Sequence, residues 1–216
     1  MSDDQIPDHL QPYKEQVDGL RRVAANFWER GWSRGTSSNY SAIVGRDPTQ
    51  ILITASGKDK GKLTRSDFVL VDTEGQPICE GQPKSSAETL LHCVAAEDPE
   101  VGAVLHTHSI WSTVLSDRFA PQGGILIEGY EMLKGLSGVT THENAEWIPI
   151  FDNTQNIPSL AQKVRESQQS DRPIAHCYII RKHGIYTWGK DLDEAFRHIE
   201  VLEFLFECIG RTATMG

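Results

Sequence analysis

The sequence predicts a single α/β domain, and three observations support that class. Segments with strand composition alternate along the chain with segments whose apolar residues recur at the three- and four-residue steps of a helix. A length of 216 residues suits one domain with a substantial core. Because the chain contains no internal repeat, low-complexity segment or linker, we expect one domain over residues 1–216.

The first half of the chain begins with a predicted helix. Apolar residues from Val17 to Phe27 recur at helical spacing over 13–30, and Gly31 ends the run. Short runs of β-branched and aliphatic residues bounded by turn residues predict strands over 40–44, 51–54 and 67–72. A second helix is predicted over 86–96.

The second half continues this alternation. A strand predicted over 101–108 leads into a helix over 109–116, for which Ser109 is a suitable N-cap. The later elements are, in order, strands over 125–127 and 147–151, a polar helix over 158–170, paired strands over 176–182 and 185–188, and an amphipathic helix over 192–209.

The most informative short motif is the pair His106 and His108, at the end of the strand predicted over 101–108. Residues two apart on a strand point to the same face, so the two imidazoles project side by side at a spacing that suits one metal ion. The apolar residues before His106 bury the strand. Its carboxyl end is a usual position for ligand sites in α/β folds. The alternative for this motif alone is a pair of hydrogen-bonded core histidines.

A third histidine, His183, follows much later in the chain. Two close histidines and one distant histidine are typical of a catalytic metal site, in which three protein ligands leave one position open for substrate. The ligand set His106, His108 and His183 favours zinc, although iron, cobalt or manganese could occupy the same site.

Composition excludes other functions. A net charge of −9 argues against a nucleic-acid partner. No run approaches the ~18 apolar residues of a membrane span. The acidic N-terminal segment does not resemble a signal peptide, and four scattered cysteines without C-x-x-C spacing are typical of reduced thiols. We therefore expect a cytoplasmic protein that binds neither nucleic acid nor membrane.

Motifs along nearly the whole chain resemble those of the class II aldolase (aldolase/adducin head) family. They are GTSSNYS (35–41), ITASG (53–57), KSSAETLLH (84–92), GAVLHTHS (102–109), EMLKG (131–135) and RKHGIYTWG (181–189). The resemblance implies a three-layer α/β/α domain with a largely antiparallel central sheet. It also implies one Zn²⁺ per subunit, held by the three histidines, and a homotetramer with sites near the subunit interfaces.

The EMLKG segment and the tail RHIEVLEFL (197–205) are similar to a dehydratase branch of that family. This similarity implies a lyase that removes water from 5-methylthioribulose 1-phosphate in methionine salvage. The alternatives are an aldolase or epimerase that acts on another sugar phosphate, and a non-catalytic interaction module. A non-catalytic member should have lost its metal ligands, but all three histidines are present.

Small polar loops are expected to bind the substrate phosphate, as they do in the family. Short side chains and open backbone N–H groups can converge on an anion, although such loops are also ordinary turns. The candidate phosphate-binding residues are Ser37, Asn39, Ser56, Gly57, Ser86 and Lys84, with Lys60 and Lys182 as other possible sources of charge. The chain departs from the family at Ser38, where glycine is common, and at Ser85, where proline is common.

Two carboxylates are candidate acid/base groups. In the family's aldolases the glutamate corresponding to Glu88 lies at the metal, whereas its alternative role is a first-turn helix carboxylate. Ala87 replaces a serine typical of the aldolases and weakens the case for simple aldolase activity. The resemblance to the dehydratase branch implies that Glu131 moves the proton, and its alternative is a surface carboxylate.

Overall fold

The fold is built on one mixed sheet of eight strands, in the order β3-β2-β1-β4-β8-β7-β6-β5. The computed structural model describes residues 5–215. Its strands are β1 (Asn39–Arg46), β2 (Thr49–Thr54), β3 (Phe68–Val71), β4 (Ala103–Thr107), β5 (Gly124–Glu128), β6 (Ala145–Phe151), β7 (Cys177–Ile180) and β8 (Gly184–Gly189). All neighbouring strands are antiparallel except the parallel pair β6 and β7. The largely antiparallel sheet implied by the family resemblance is therefore confirmed.

Five α-helices accompany the sheet within residues 5–215. They are α1 (Lys14–Glu29), α2 (Thr89–Ala95), α3 (Ile110–Phe119), α4 (Ile157–Gln168) and α5 (Leu192–Met215). Short 3₁₀ helices at Asp8–Tyr13, Lys60–Lys62, Ala120–Gln122 and Glu131–Gly135 join them. No helix in the described part of the chain is long and apolar enough to cross a membrane.

The helices cover both faces of the sheet. Apolar residues of α1 and α5, such as Leu20 and Leu202, pack in one core with Leu105 of β4. On the opposite face, α2 and α4 contribute Leu91 and Leu160 to a second core. Alternate residues of β4 thus point into different cores, as the two-residue period of a strand requires. The result is the predicted three-layer α/β/α arrangement.

Most predicted elements are present, with three corrections to their ends. Helix α2 begins at Thr89 rather than at residue 86, so Glu88 is its N-cap residue and not part of its first turn. Strand β4 ends at Thr107, and His108 lies one residue beyond it. Helix α5 continues to Met215, past the predicted end at 209.

Strand register brings the central residues of the site together. His106 on β4 pairs with Asn39 at the start of β1 and with Tyr186 on β8. Asn39, His106 and Tyr186 therefore lie side by side across three adjacent strands. The edge strand β5 lies four strands from β4, or about 19 Å at roughly 4.8 Å per strand.

Candidate metal centre

His106 is fully buried and presents one ring nitrogen to the site. Its Nδ1 lies 2.9 Å from the carbonyl oxygen of Ile185, so Nδ1 carries the proton and donates it to that carbonyl. Nε2 is then the unprotonated nitrogen. A backbone acceptor that fixes the tautomer in this way is the usual support for a metal-binding histidine. The ring also stacks on Tyr186, with 4.0 Å between centroids.

His108 faces His106 from the turn between β4 and α3. The backbone N–H of His108 donates to the carbonyl of Trp32 at 2.8 Å, which fixes the chain just beyond the strand. Ser109 then caps α3, as predicted, because its hydroxyl accepts the N–H of Ser112 at 3.0 Å. The cap holds the helix against the end of the strand, and the Nε2 atoms of His108 and His106 lie 2.8 Å apart.

His183 comes from the tight turn between β7 and β8. Lys182 has φ of +55°, so the turn adopts a left-handed conformation just before the histidine. Gly184 then passes against β4 so closely that a Cβ atom would lie 2.1 Å from the carbonyl oxygen of Thr107. Glycine at this position therefore allows the contact between strands that brings His183 to the other two histidines.

The three histidines converge on one point. One ring nitrogen from each of His106, His108 and His183 lies within 4.8 Å of the others. Nδ1 of His183 is buried without a hydrogen-bond partner among residues 5–215. Facing ring nitrogens and an unsatisfied buried nitrogen fit a bound cation, and three imidazoles are a donor set that binds divalent transition metals. The residues present can therefore hold a metal ion.

Glu88 completes the cluster from the N-terminal end of α2. Its carboxylate oxygens lie 3.1 Å from Nε2 of His183 and 3.7 Å from Nε2 of His106. Burial raises the pKa of Glu88, but the hydrogen bonds from His183 and from the Asn39 amide hold it well below its usual range. Glu88 is therefore an ionised carboxylate beside the three ring nitrogens.

Two histidines of the cluster, His106 and His108, favour the neutral form. Burial and the neighbouring histidines lower the pKa of His106 well below its ordinary value and that of His108 to about 4. Neutral imidazoles have the free lone pair that a metal requires. His106 and His108 can therefore bind a cation at neutral pH without first losing protons.

A small cavity of about 110 Å³ opens beside His108 and Glu88. Five of the six predicted phosphate-binding residues line it, namely Ser37, Asn39, Ser56, Gly57 and Ser86. Sites for whole small molecules are usually about 300–1,000 Å³ in volume. A larger cavity of about 460 Å³ lies beside Trp32 and Trp111, but none of the three histidines lines it. The cavity beside the histidines is therefore smaller than most sites for whole small molecules.

Two of the lysines considered from the sequence differ in their position. Lys60 is buried and lines the cavity, and its Nζ donates to the carbonyl of Lys58 at 2.8 Å. Burial lowers the pKa of Lys60 to about 8, against the opposing charges of Asp59 and Asp67. Lys84 is exposed and is not among the lining residues.

A family model for the class II aldolase and adducin N-terminal domain matches residues 19–209. The chain belongs to this family. It is 51% identical over 200 residues to methylthioribulose-1-phosphate dehydratase of Marinobacter nauticus, covering 91% of this chain and 93% of the relative. It is 50% identical over 202 residues to the protein of the same name in Hahella chejuensis, covering 92% and 94% of the two chains.

Solved structures of this class II aldolase family share the fold. An L-fuculose 1-phosphate aldolase superposes with a TM-score of 0.75 at 19% identity, over 100% of this chain and 91% of the other. The L-fuculose-1-phosphate aldolase of Thermus thermophilus gives a TM-score of 0.71 at 19% identity, over 94% and 98%. The fold implied by the sequence motifs is thus confirmed.

The departure from the family at Ser38 has a structural consequence. Ser38 has φ of +72°, in the left-handed region that favours glycine. The loop thus keeps a backbone shape suited to the glycine that is common in class II aldolases, although serine occupies the position. Its hydroxyl lies 3.4 Å from the carbonyl of Trp32, a weak contact that offsets only part of the conformational cost.

Glu131 is not part of the histidine cluster of its own chain. It lies in the 3₁₀ helix after the edge strand β5, and its side chain is 72% exposed. Its carboxylate contacts Lys134 at 2.7 Å and His142 at 3.7 Å, and the hydrogen bond and charge of Lys134 lower its pKa. Its catalytic role stays a prediction.

A fully buried histidine, His92, is a site residue that the sequence did not identify. The sequence pattern indicates only a packing or surface residue of an amphipathic helix at this position. In the structure His92 lies behind Asn39, which in turn donates to Glu88 at 2.8 Å. The available signal was its position one helical turn after Glu88, which places both side chains on the same face of the helix.

Proposed function

We propose that this chain catalyses the removal of water from 5-methylthioribulose 1-phosphate, giving 2,3-diketo-5-methylthiopentyl 1-phosphate in methionine salvage. The observation that carries the proposal is the convergence of His106, His108, His183 and Glu88 beside a serine-lined cavity. The proposal is supported by about 50% identity, over about 90% of the chain, to relatives named for that activity. Residues 1–216 would act as one catalytic domain.

The metal in this proposal is one zinc ion per subunit, held by His106, His108 and His183. When bound, zinc would act as a Lewis acid that favours loss of a proton next to a ketone. Ile185 fixes the tautomer of His106, so its unprotonated Nε2 is available to a metal ion. Glu88 balances the positive charge of the ion from the open side of the cluster.

The reaction needs one proton removed and one hydroxyl protonated. A carboxylate takes the proton from carbon 3, and the electrons of that C–H bond pass to the carbonyl group. The bond between carbon 4 and its hydroxyl oxygen then breaks, and a proton donated to that oxygen releases it as water. The remaining enol at carbons 3 and 4 becomes the ketone at carbon 3.

In our proposal Glu131 carries out the proton transfers and Glu88 orients the substrate. Glu88 lies at the metal site and is ionised, so it can orient the hydroxyl groups of the substrate. Glu131 is exposed and lies far along the sheet, so it must come from a second copy of the chain. This arrangement agrees with the expected homotetramer with interface sites, and with the small cavity that one chain encloses. Such an assembly would act in the cytoplasm.

Phosphate recognition is assigned to the cavity loops. Ser37, Ser56, Ser86 and the N–H of Gly57 provide neutral donors, and Lys60 provides the buried positive charge. The overall net charge is −9, so attraction of an anion must be local. We therefore prefer Lys60 to Lys84 as the phosphate-binding lysine.

An assay of products tests the proposal. Purified protein loaded with zinc is incubated with 5-methylthioribulose 1-phosphate, and the products are separated by mass spectrometry. Dehydration gives one diketone phosphate that is lighter than the substrate by one water molecule. The His183→Ala protein is the matched control and should give none. Dihydroxyacetone phosphate together with methylthioacetaldehyde would instead show cleavage of the bond between carbons 3 and 4, which is the alternative aldolase reaction.

A further inference from the structure

His92 lies on α2 one helical turn after Glu88, and its ring is fully buried. Both ring nitrogens have a polar partner. Nε2 faces Oδ1 of Asn39, and Nδ1 lies 2.8 Å from the hydroxyl oxygen of Ser41. Asn39 and Ser41 both belong to β1, so the histidine links α2, whose N-cap residue is Glu88, to the strand beside His106.

The direction of each hydrogen bond follows from the carboxylate. Glu88 is ionised and accepts a hydrogen bond from Nδ2 of Asn39 at 2.8 Å. The opposite side of the amide, Oδ1, therefore faces His92 and can only accept, so Nε2 of His92 carries the proton. Nδ1 is then the acceptor for the Ser41 hydroxyl. Burial lowers the pKa of His92 to about 3, which keeps the ring neutral.

We propose that His92 is a positioning residue for Glu88, because it fixes the Asn39 amide with its NH₂ group toward the carboxylate. Without the imidazole N–H, the amide can rotate about its last bond and place its oxygen against the negative charge. The carboxylate would then lose one of the contacts that hold it beside His106 and His183. The inference rests on the proposed function, in which Glu88 orients the substrate at the metal site.

Packing alone is the competing explanation. The ring of His92 lies edge-on to Tyr186 at 5.7 Å between centroids, and Tyr186 stacks on His106 at 4.0 Å. A phenylalanine would keep an aromatic ring against Tyr186 but form neither hydrogen bond. A glutamine has less ring-like packing, but its amide NH₂ group can occupy the place of Nε2–H. The two substitutions therefore separate packing from hydrogen bonding.

The experiment measures kcat, KM, zinc content and melting temperature for wild type, His92→Phe and His92→Gln. We expect His92→Phe to bind zinc fully and to lose roughly 10-fold or more in kcat, the scale of a lost hydrogen bond within a charged network, with little change in KM. His92→Gln should recover much of the loss. Equal kcat in wild type and His92→Phe, or a better result for Phe than for Gln, would overturn the positioning role.

A double-mutant cycle tests the route through Asn39. If His92 acts only through that amide, His92→Phe should have little further effect on kcat in an Asn39→Ala protein. Full additivity of the two losses would contradict the proposal. A Glu88→Gln protein separates this from the proposed function. Unchanged turnover in Glu88→Gln refutes the role of Glu88, whereas a loss there without a loss in His92→Phe refutes only the positioning.

A readout without metal or substrate completes the test. Nitrogen-15 NMR of the metal-free protein distinguishes the two neutral tautomers of a histidine. We expect a slowly exchanging Nε2–H for His92, with a resonance that shifts in the Asn39→Ala protein. A proton on Nδ1 instead would show that the amide of Asn39 points the other way and would overturn the proposal.

Discussion

The Nε2 atoms of His106 and His108 lie 2.8 Å apart, and burial lowers the pKa of both imidazoles, so both favour the neutral form. His106 has already committed its one ring proton to the carbonyl of Ile185. One ring nitrogen of His183 also lies within 4.8 Å of a ring nitrogen of each of these two histidines. A cation shared by the three rings would satisfy these lone pairs together, including the buried Nδ1 of His183 that has no hydrogen-bond partner among residues 5–215. This relationship is the strongest physical argument for a metal.

Removal of one histidine should therefore remove the metal. His183→Ala leaves only two of the three imidazole ligands. We therefore predict that the variant loses most of its bound zinc and most of its activity but retains its fold. Metal content by mass spectrometry, together with circular dichroism, provides the measurement. His142→Ala is the matched control for metal content alone, because His142 is exposed and contacts Glu131 rather than the histidine cluster. Full zinc stoichiometry in His183→Ala would refute the three-histidine assignment.

The stability of the metal-free protein should rise with pH between about 4 and 6.5. The folded-state pKa of His92 is lowered to about 3, whereas an unfolded histidine titrates near 6.5. Below that value the unfolded state binds more protons, so the free energy of unfolding falls as pH falls. His92→Gln should make this dependence shallower by up to about 1.4 kcal/mol per pH unit. Denaturant titrations at several pH values provide the measurement, and an unchanged slope would contradict the prediction.

His176 offers a control of opposite sign. Burial lowers its pKa, but the hydrogen bond and charge of Glu146 and the carbonyl of Ser137 raise it above the ordinary value. The stabilisation is complete below the unfolded pKa and is lost as pH rises through the folded pKa. His176→Gln should therefore lower the free energy of unfolding by a constant amount below about pH 6.5, and this loss should shrink as pH rises through the raised pKa of His176. Denaturant titrations on both sides of pH 6.5 provide the measurement.

The sequence predicted the elements that carry short-range patterns. His106 and His108 share a face because strands have a two-residue period, and Ser109 is a helix cap because its residue type and position fit one. The approach of His183 depends on the pairing of β4 with β8 and on Gly184, which no local pattern encodes. There the family resemblance provided what periodicity could not.

Buried polar contacts were not predictable from the same patterns. His92 lies on an amphipathic helix, and its partners Asn39 and Ser41 are about 50 residues earlier in the chain. The two lysines could not be ranked either, because only the 3₁₀ turn at Lys60–Lys62, capped by Asp59, turns Lys60 into the cavity. Side-chain direction in loops depends on tertiary packing, and sequence spacing does not determine it.

Lys60 and Lys84 should differ in their effect on substrate binding. Lys60→Gln removes the buried charge from the cavity, so we predict a KM at least about 10-fold higher, with a smaller change in kcat, as expected for a contact made equally in ground and transition states. Lys84→Gln changes an exposed lysine and is the matched control. A larger KM effect for Lys84→Gln would return the phosphate role to Lys84.

Replacement of Ser38 by glycine should give a more stable protein than replacement by alanine. Its φ of +72° costs a residue with a Cβ atom roughly 1–2 kcal/mol, a cost that glycine avoids. Both substitutions remove the hydroxyl contact to Trp32. We predict that Ser38→Gly is more stable than Ser38→Ala by about 1 kcal/mol, measured by denaturant unfolding. At an ordinary backbone angle the order is reversed, so a more stable alanine variant would contradict the left-handed geometry of this loop.

The catalytic role of Glu131 can be tested through its requirement for a second copy. Glu131→Gln should retain zinc and substrate binding but lose at least ~10²-fold in kcat, the usual scale for an acid/base group. His183→Ala is inactive for a different reason, because it lacks a metal ligand. Co-expression of the two variants with different affinity tags yields mixed assemblies, which tandem purification isolates.

In such an assembly a Glu131→Gln subunit provides the three intact histidines, and a neighbouring His183→Ala subunit provides Glu131. Random mixing of equal amounts should then restore about a quarter of the wild-type activity per subunit. About half of the subunits have intact histidines, and about half of their neighbours have Glu131. A mixture of separately purified variants that have not exchanged subunits is the control. If Glu131 acted at the histidines of its own chain, every subunit would carry a defect and co-expression would restore no activity. Normal turnover of the Glu131→Gln protein alone would instead assign the proton transfers to Glu88.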